Sequence, residues 1–252
     1  MIACVGGSGS PGALRALLQD RCCAGGDPLC GLHLCTRTDA MDHEQRTKIS
    51  NQLDPEWAAR VVRTISQIEA DFYHAANHLS ERLMTEGALA IEKVVKSPWA
   101  IVENEWTPQV VCPEWKMLRG VGTGDMWLEV SEISADEEEN EHTWIAAATR
   151  SGPTQLCVEL KFRRGLQEDA EAIIGDAKAI AALIKQGFVR DEASMALYIP
   201  ILIPAEKLAQ GFEQNDLTPV AEPFGKAMAQ AIIAKPALDK LLEQVRAAAK
   251  RA

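Results

Sequence analysis

A chain of 252 residues, 47% of them hydrophobic and 25% charged, is long enough to bury one sizeable core, and it contains no apolar run of membrane-crossing length. Its formal charge of −10 excludes a protein that coats nucleic acid without selectivity, because neutralising phosphates takes clustered Lys and Arg. Five of the seven cysteines, Cys4, Cys22, Cys23, Cys30 and Cys35, fall in the first 35 residues, so no disulfide framework is expected to span the fold. Together with an N-terminus that lacks the pattern of a secretory signal, this predicts a cytoplasmic protein.

Residues 1–40 scatter Gly, Ser, Pro, Cys and Arg without periodicity and read as a disordered or dispensable leader, with Met41 as an alternative start and residues 41–252 as a single α/β domain. Residues 2–18 do read as a short strand, a glycine loop and a helix start, an arrangement that cradles phosphate. They lack the Gly-Lys-Ser/Thr ending of a P-loop and the full spacing of a dinucleotide fingerprint. Cys22, Cys30, His33 and Cys35 are metal-ligand types without a paired Cys-x-x-Cys, and they fit the leader better than a zinc site.

Asp54 then stands as an N-cap before Pro55. An apolar stripe through Trp57, Val61, Ile65, Ile68, Phe72, Ala75, Leu79 and Leu83 predicts a long helix that ends or breaks near Gly87, with 88–96 as its alternative continuation before Ser97-Pro98 stops it. Strands are expected at 99–106, 109–112, 125–133, 143–149 and 155–162, forming a meander cut by proline, glycine and acidic turns. The run Asp136, Glu137, Glu138, Glu139 with Glu141 reads as one solvated loop. A helix over 167–186, a buried strand over 195–204 and one or two Ala-rich closing helices complete the order.

Chemistry concentrates on the last strand of the meander. Leu156, Val158, Leu160 and Phe162 alternate with Gln155, Cys157, Glu159, Lys161 and Arg163, so one face is buried while the other presents a carboxylate and an amine side by side. A carboxylate holds a hard divalent cation, and an amine two residues along polarises a water or phosphate beside it. Asp125 opens an earlier strand with a second carboxylate, and Lys161, Arg163 and Arg164 form a local basic patch. The same pattern has a structural reading, a same-face ion pair between Glu159 and Lys161. On the long helix Asp71, His74, His78 and Glu81 share one stripe, in which His74 and His78 at i and i+4 can reach a common metal; plain surface is the competing reading. The tryptophans 99, 106, 115, 127 and 144 read as core or sheet-edge residues.

The element order, with Gly124-Asp125 on one strand and Glu159-Leu160-Lys161 on the last strand before a helix, resembles the PD-(D/E)XK nuclease superfamily over roughly residues 54–204. The resemblance implies a restriction-endonuclease-like core, a central mixed β-sheet flanked by helices. It also implies a metal-dependent nuclease that hydrolyses DNA or RNA phosphodiesters. Asp125 and Glu159 would then bind Mg2+ or Mn2+ with help from the Leu160 carbonyl, and Lys161 would position the attacking water. Asp125, Glu159 and Lys161 would be the catalytic set, and Glu69 would add a carboxylate from the long helix. The chain departs from the family pattern where no Pro precedes Asp125 and where the helix after Lys161 lacks Gln-x-x-x-Tyr. The alternative is a non-catalytic acidic module that binds a basic protein, and a homodimer stays open in either reading.

Overall fold

The computed structural model describes residues 54–102, 107–115, 124–134 and 143–250. Packing divides the chain into two compact units, Met1–Arg60 and Val61–Ala252, and the fold set out below is that of the second. The expected leader, its glycine loop, the Cys22–Cys35 cluster, Trp106 and the acidic run at 136–141 lie outside the described residues.

Helix α1 spans Pro55–His74 and begins as its sequence directs, with Asp54 Oδ1 accepting the Glu56 amide at 3.0 Å. It passes through a π-helical turn, Ala75–Leu79, closed by the Ser80 hydroxyl donating to the Ala75 carbonyl at 2.7 Å, and continues as α2, Ser80–Val94. Gly87 does not stop it. A Cβ at Gly87 would lie 2.6 Å from ring atoms of Phe224, so this glycine serves close packing.

Among the described residues six strands follow: β1 Ala100–Val102, β2 Gln109–Val111, β3 Met126–Ser134, β4 Thr154–Phe162, β5 Val189–Arg190 and β6 Leu197–Pro200. They form one sheet in the order β1-β2-β3-β4-β6-β5, antiparallel at every pairing. The expected mixed sheet is therefore corrected. The β5–β6 hairpin inserts β6 between β4 and β5, so β5, the strand that runs in the direction of β4, never pairs with it.

The strand expected at 143–149 is helix α3, Trp144–Thr149. Thr143 caps it by accepting the Ala146 amide at 3.1 Å, three alanines favour helix, and Arg150 ends it in the left-handed region at φ 52°. Among the described residues between them there is no strand, and β3 and β4 pair directly, from Met126 opposite Phe162 to Ser134 opposite Thr154.

The helix expected over 167–186 is two helices, α4 Gln167–Gly175 and α5 Ala177–Lys185. They break where Asp176 Oδ1 accepts the Lys178 amide at 2.9 Å. The strand expected over 195–204 narrows to β6, after which Ile201 and Ile203 donate singly to Leu156 and Ala148 carbonyls. Helices α6 Ala205–Glu213, α7 Glu222–Ile233 and α8 Lys235–Ala249 close the fold.

Met126, Leu128 and Val130 of β3 and Leu156, Val158 and Leu160 of β4 share one core cluster with buried residues of α2, α3, α4, α5, α7 and α8. Alternation along the strands sends Trp127, Glu129, Cys157, Glu159 and Lys161 to the opposite face. Among the described residues no helix is long and apolar enough to cross a membrane.

Candidate functional site

Register decides which polar side chains of that second face meet. Glu159 lies directly opposite Glu129 on one side and Tyr198 on the other, and Glu129 lies opposite Gln109, so four strands contribute one polar row. Directly opposed residues in an antiparallel pair hold their Cβ atoms about 4.5–5.5 Å apart, which lets two carboxylates converge on one small cation. In the next row Trp127 faces Lys161. The Lys161 ammonium is 2.7 Å from Glu159 Oε2, with the Lys161 side chain 35% exposed and that of Glu159 only 10%. Trp127 donates its indole N–H to Glu129 Oε2 at 2.8 Å, and the Thr107 hydroxyl donates to Oε1 at 3.4 Å. Glu129 is thus oriented by two donors and Glu159 by an ammonium.

Beside Glu159 and Lys161, where β6 parts from β4, opens a cavity of ≈ 320 Å³ lined by these two together with Phe162, Gln167, Glu171 and Met195. The Gln167 side chain donates to Glu171 Oε1 at 3.1 Å, so polar groups of α4 face the same space as Lys161.

Neighbouring groups stay protonated near neutrality. Burial, then the negative Glu159, pushes the Cys157 thiol far above its ordinary range, and its sulfur donates to the Ser131 carbonyl at 3.4 Å. Burial also raises the Tyr198 phenol, with the coulombic effect of Cys157 next in size. Neither group is a ready nucleophile in this setting.

Glu159 and Lys161, the strand pair singled out in the sequence, are brought together; Asp125 is not brought to them. It precedes Met126, opposite Arg163 rather than Glu159, and four residues of strand separate it from the level of Glu159, roughly 13 Å. Its carboxylate is taken up by Arg163 Nε at 2.5 Å and Arg246 Nε at 2.8 Å, its amide donates to the Trp115 carbonyl, and its carbonyl accepts from the Arg163 amide. Asp125 therefore ties the end of β3 to β4 and α8. Arg163 is drawn out of the basic patch by the same bond.

Glu129 is the residue that sequence reasoning missed. It stands four positions after Asp125, a spacing that continues the alternation of β3, and that spacing was its only signal. Glu69 is an exposed residue of α1. His74 and His78 hold their rings 5.4 Å apart, each edge-on to Tyr73. Trp115 is core: it stacks edge-on with Trp99 and donates to Asp239 Oδ1 at 2.7 Å.

Among the described residues no three His, Cys, Asp or Glu side chains gather as a metal-binding group. Comparison with known proteins returned no match, neither a family model, nor a curated protein, nor a solved structure.

Proposed function

We propose that the polar row of β3 and β4 hydrolyses phosphodiesters of nucleic acid with a divalent metal ion, in the manner of a nuclease. The observation that carries the reading is the register pair Glu129–Glu159 with the Lys161 ammonium 2.7 Å from Glu159. Two opposed carboxylates, whose neighbouring Cys157 is held as a neutral thiol, suit Mg2+ or Mn2+, which keep several waters, and not zinc, which demands a fuller protein set. When bound, the ion supplies Lewis acidity toward a phosphoryl oxygen and promotes ionisation of water.

The rest is done by the chain. Trp127 and Thr107 fix the Glu129 carboxylate, so its oxygens are set before a ligand arrives. Lys161 stands at the rim of the cavity, where its ammonium holds a water or a phosphate oxygen against Glu159. In this reading Glu129 takes the place of Asp125 as the second carboxylate, and Asp125 serves the fold.

The test is cleavage of a panel of single- and double-stranded DNA and RNA with magnesium or manganese. Glu159→Gln and Glu129→Gln should each lower cleavage by at least about 100-fold, and Asp125→Asn should spare the chemistry of whatever protein remains folded. A wild-type chain that cleaves nothing in the panel returns the site to the alternative, an acidic surface that binds a basic protein.

A further inference from the structure

Helix α1 contains no buried residue, although its sequence is amphipathic. Val61, Ile65, Ile68, Phe72, Ala75 and Leu79 recur at spacings of four, three, four, three and four, the seam of a two-helix coiled coil. Ile65, Ile68 and Phe72 are 43%, 45% and 44% exposed, and Val62 and Tyr73, on one flank of the seam, are more open still. Contiguous apolar surface of this extent marks an interaction site.

We infer that this face is covered by α1 of a second copy of the chain, lying antiparallel about a two-fold axis between Ser66 and Gln67. That axis sets Ile65 of one copy against Ile68 of the other, and Val61 against Phe72, so a small side chain meets a large one. Val62 comes within two residues of the level of Tyr73 on the same flank, about 3 Å along the axis. The opposite flank brings Arg60 of one copy to the level of Asp71 of the other with the same offset. A parallel pair instead places both copies of Glu69 and Asp71 at one level, four carboxylates together, and both copies of Arg60 and Arg63 at another.

Charge therefore selects the antiparallel arrangement. The same patch meets itself about the axis, as a closed two-fold interface requires. The half-exposed apolar side chains of two such helices cover on the order of 1,000 Å², the lower bound of a specific interface.

Sedimentation equilibrium of the full chain over a range of concentrations tests the assignment. A monomer–dimer equilibrium is expected. Ile68→Glu should weaken it by at least about 100-fold, because it sets an unpaired carboxylate in an apolar seam. At a concentration where both chains are monomeric, the melt of the core should stay unchanged, since α1 buries nothing. Arg60→Glu should weaken association, and adding Asp71→Arg in the same chain should restore it.

Orientation is read by mixing Val61→Cys and Phe72→Cys chains under mild oxidation and mapping disulfides by mass spectrometry. The mixture should form a disulfide between position 61 of one chain and position 72 of the other, and neither variant alone should join to itself at the new cysteine. A wild-type chain that stays monomeric at every concentration overturns the inference and assigns the face to residues 1–53 or to another protein. A dimer indifferent to Ile68→Glu overturns the seam, and a Val61→Cys chain that cross-links to itself at the introduced thiol overturns the antiparallel order.

Discussion

Asp125, just before β3, and Glu129, within it, lie four residues apart, yet they meet opposite fates because of what lies across from them. Asp125 faces Arg163 and also reaches Arg246, and its side chain is 10% exposed. Asp125→Asn leaves two guanidinium groups without their carboxylate, an expected loss of about 2–3 kcal/mol in chemical denaturation. Glu129→Gln keeps the shape and the acceptor for the Trp127 indole, so it should cost under about 1 kcal/mol while removing metal-dependent cleavage. The two phenotypes separate a carboxylate that holds the fold from the one proposed to hold an ion. If both variants lose stability alike and cleavage alike, the division of roles is wrong. Lys161→Ala should behave like Glu129→Gln: its ion pair is partly exposed, so stability falls by about 0–1 kcal/mol while cleavage collapses. The buried thiols give a third check. Cys112 is pushed up to about 11, first by burial and then by the hydrogen bond it donates to Glu114. Cys157 is pushed up by burial and by Glu159. Below these raised values both remain neutral thiols, so at pH 8 alkylation mapped by mass spectrometry should spare Cys112 and Cys157 until the chain is unfolded. Prompt labelling of Cys157 in the native protein would count against its burial beneath the row. Glu159 and Lys161 were legible because alternation along a single strand fixes which of its residues share a face. Glu129 was not, because register between strands is set by their connection, and no residue of β3 alone announces which position of β4 it will oppose.

That connection is an element-scale matter. The segment Trp-Ile-Ala-Ala-Ala-Thr carries β-branched and aromatic residues that read as a strand, and the decision for helix comes from Thr143 at its head and Arg150 in the left-handed turn at its foot. Treating it as a strand separates β3 from β4 and hides the Glu129–Glu159 pair; treating it as a helix brings them together. The Pro55 helix start was legible because an N-cap and a proline are local signals, whereas Gly87 misled because the same residue type marks a helix stop and a close crossing. Helices α2 and α7 cross with a glycine on each side. A Cβ on Gly87 would meet the Phe224 ring at 2.6 Å, and one on Gly225 would meet the Ala90 carbonyl oxygen at 2.9 Å. Alanine is the better helix former by about 1 kcal/mol, yet Phe224 is fully buried and its ring has nowhere to move. Gly87→Ala is therefore expected to destabilise by about 1–3 kcal/mol in urea melts, the overpacking term outweighing propensity. A stabilised variant would show that the ring yields and that the glycine is no packing device. Gly87→Ala with Phe224→Leu should recover part of the loss, since the smaller side chain makes room for the added methyl.

Across the molecule the buried apolar residues of the described chain begin at Leu83, so every described contributor to the core lies in the Val61–Ala252 unit. The candidate site lies there too, on β3 and β4 of one antiparallel sheet. Removing residues 1–60 should then leave a cooperative melt within a few degrees of the full chain when both are measured at low concentration, where self-association through α1 makes no contribution. Metal supplies the second half of the experiment. A cation that binds only the folded state stabilises it by mass action, about 2.7 kcal/mol at a concentration 100 times its dissociation constant. Magnesium or manganese should accordingly raise the melting temperature of the full and the shortened chain alike, and Glu159→Gln should abolish the rise in both. A rise in the full chain that vanishes on shortening moves the site out of the Glu129–Glu159 pair and into the first 60 residues. A shortened chain that unfolds without cooperativity shows that the core needs its N-terminal unit. A rise that survives both shortening and Glu159→Gln leaves metal bound elsewhere in the second unit, and the hydrolytic reading of the row then loses its ion.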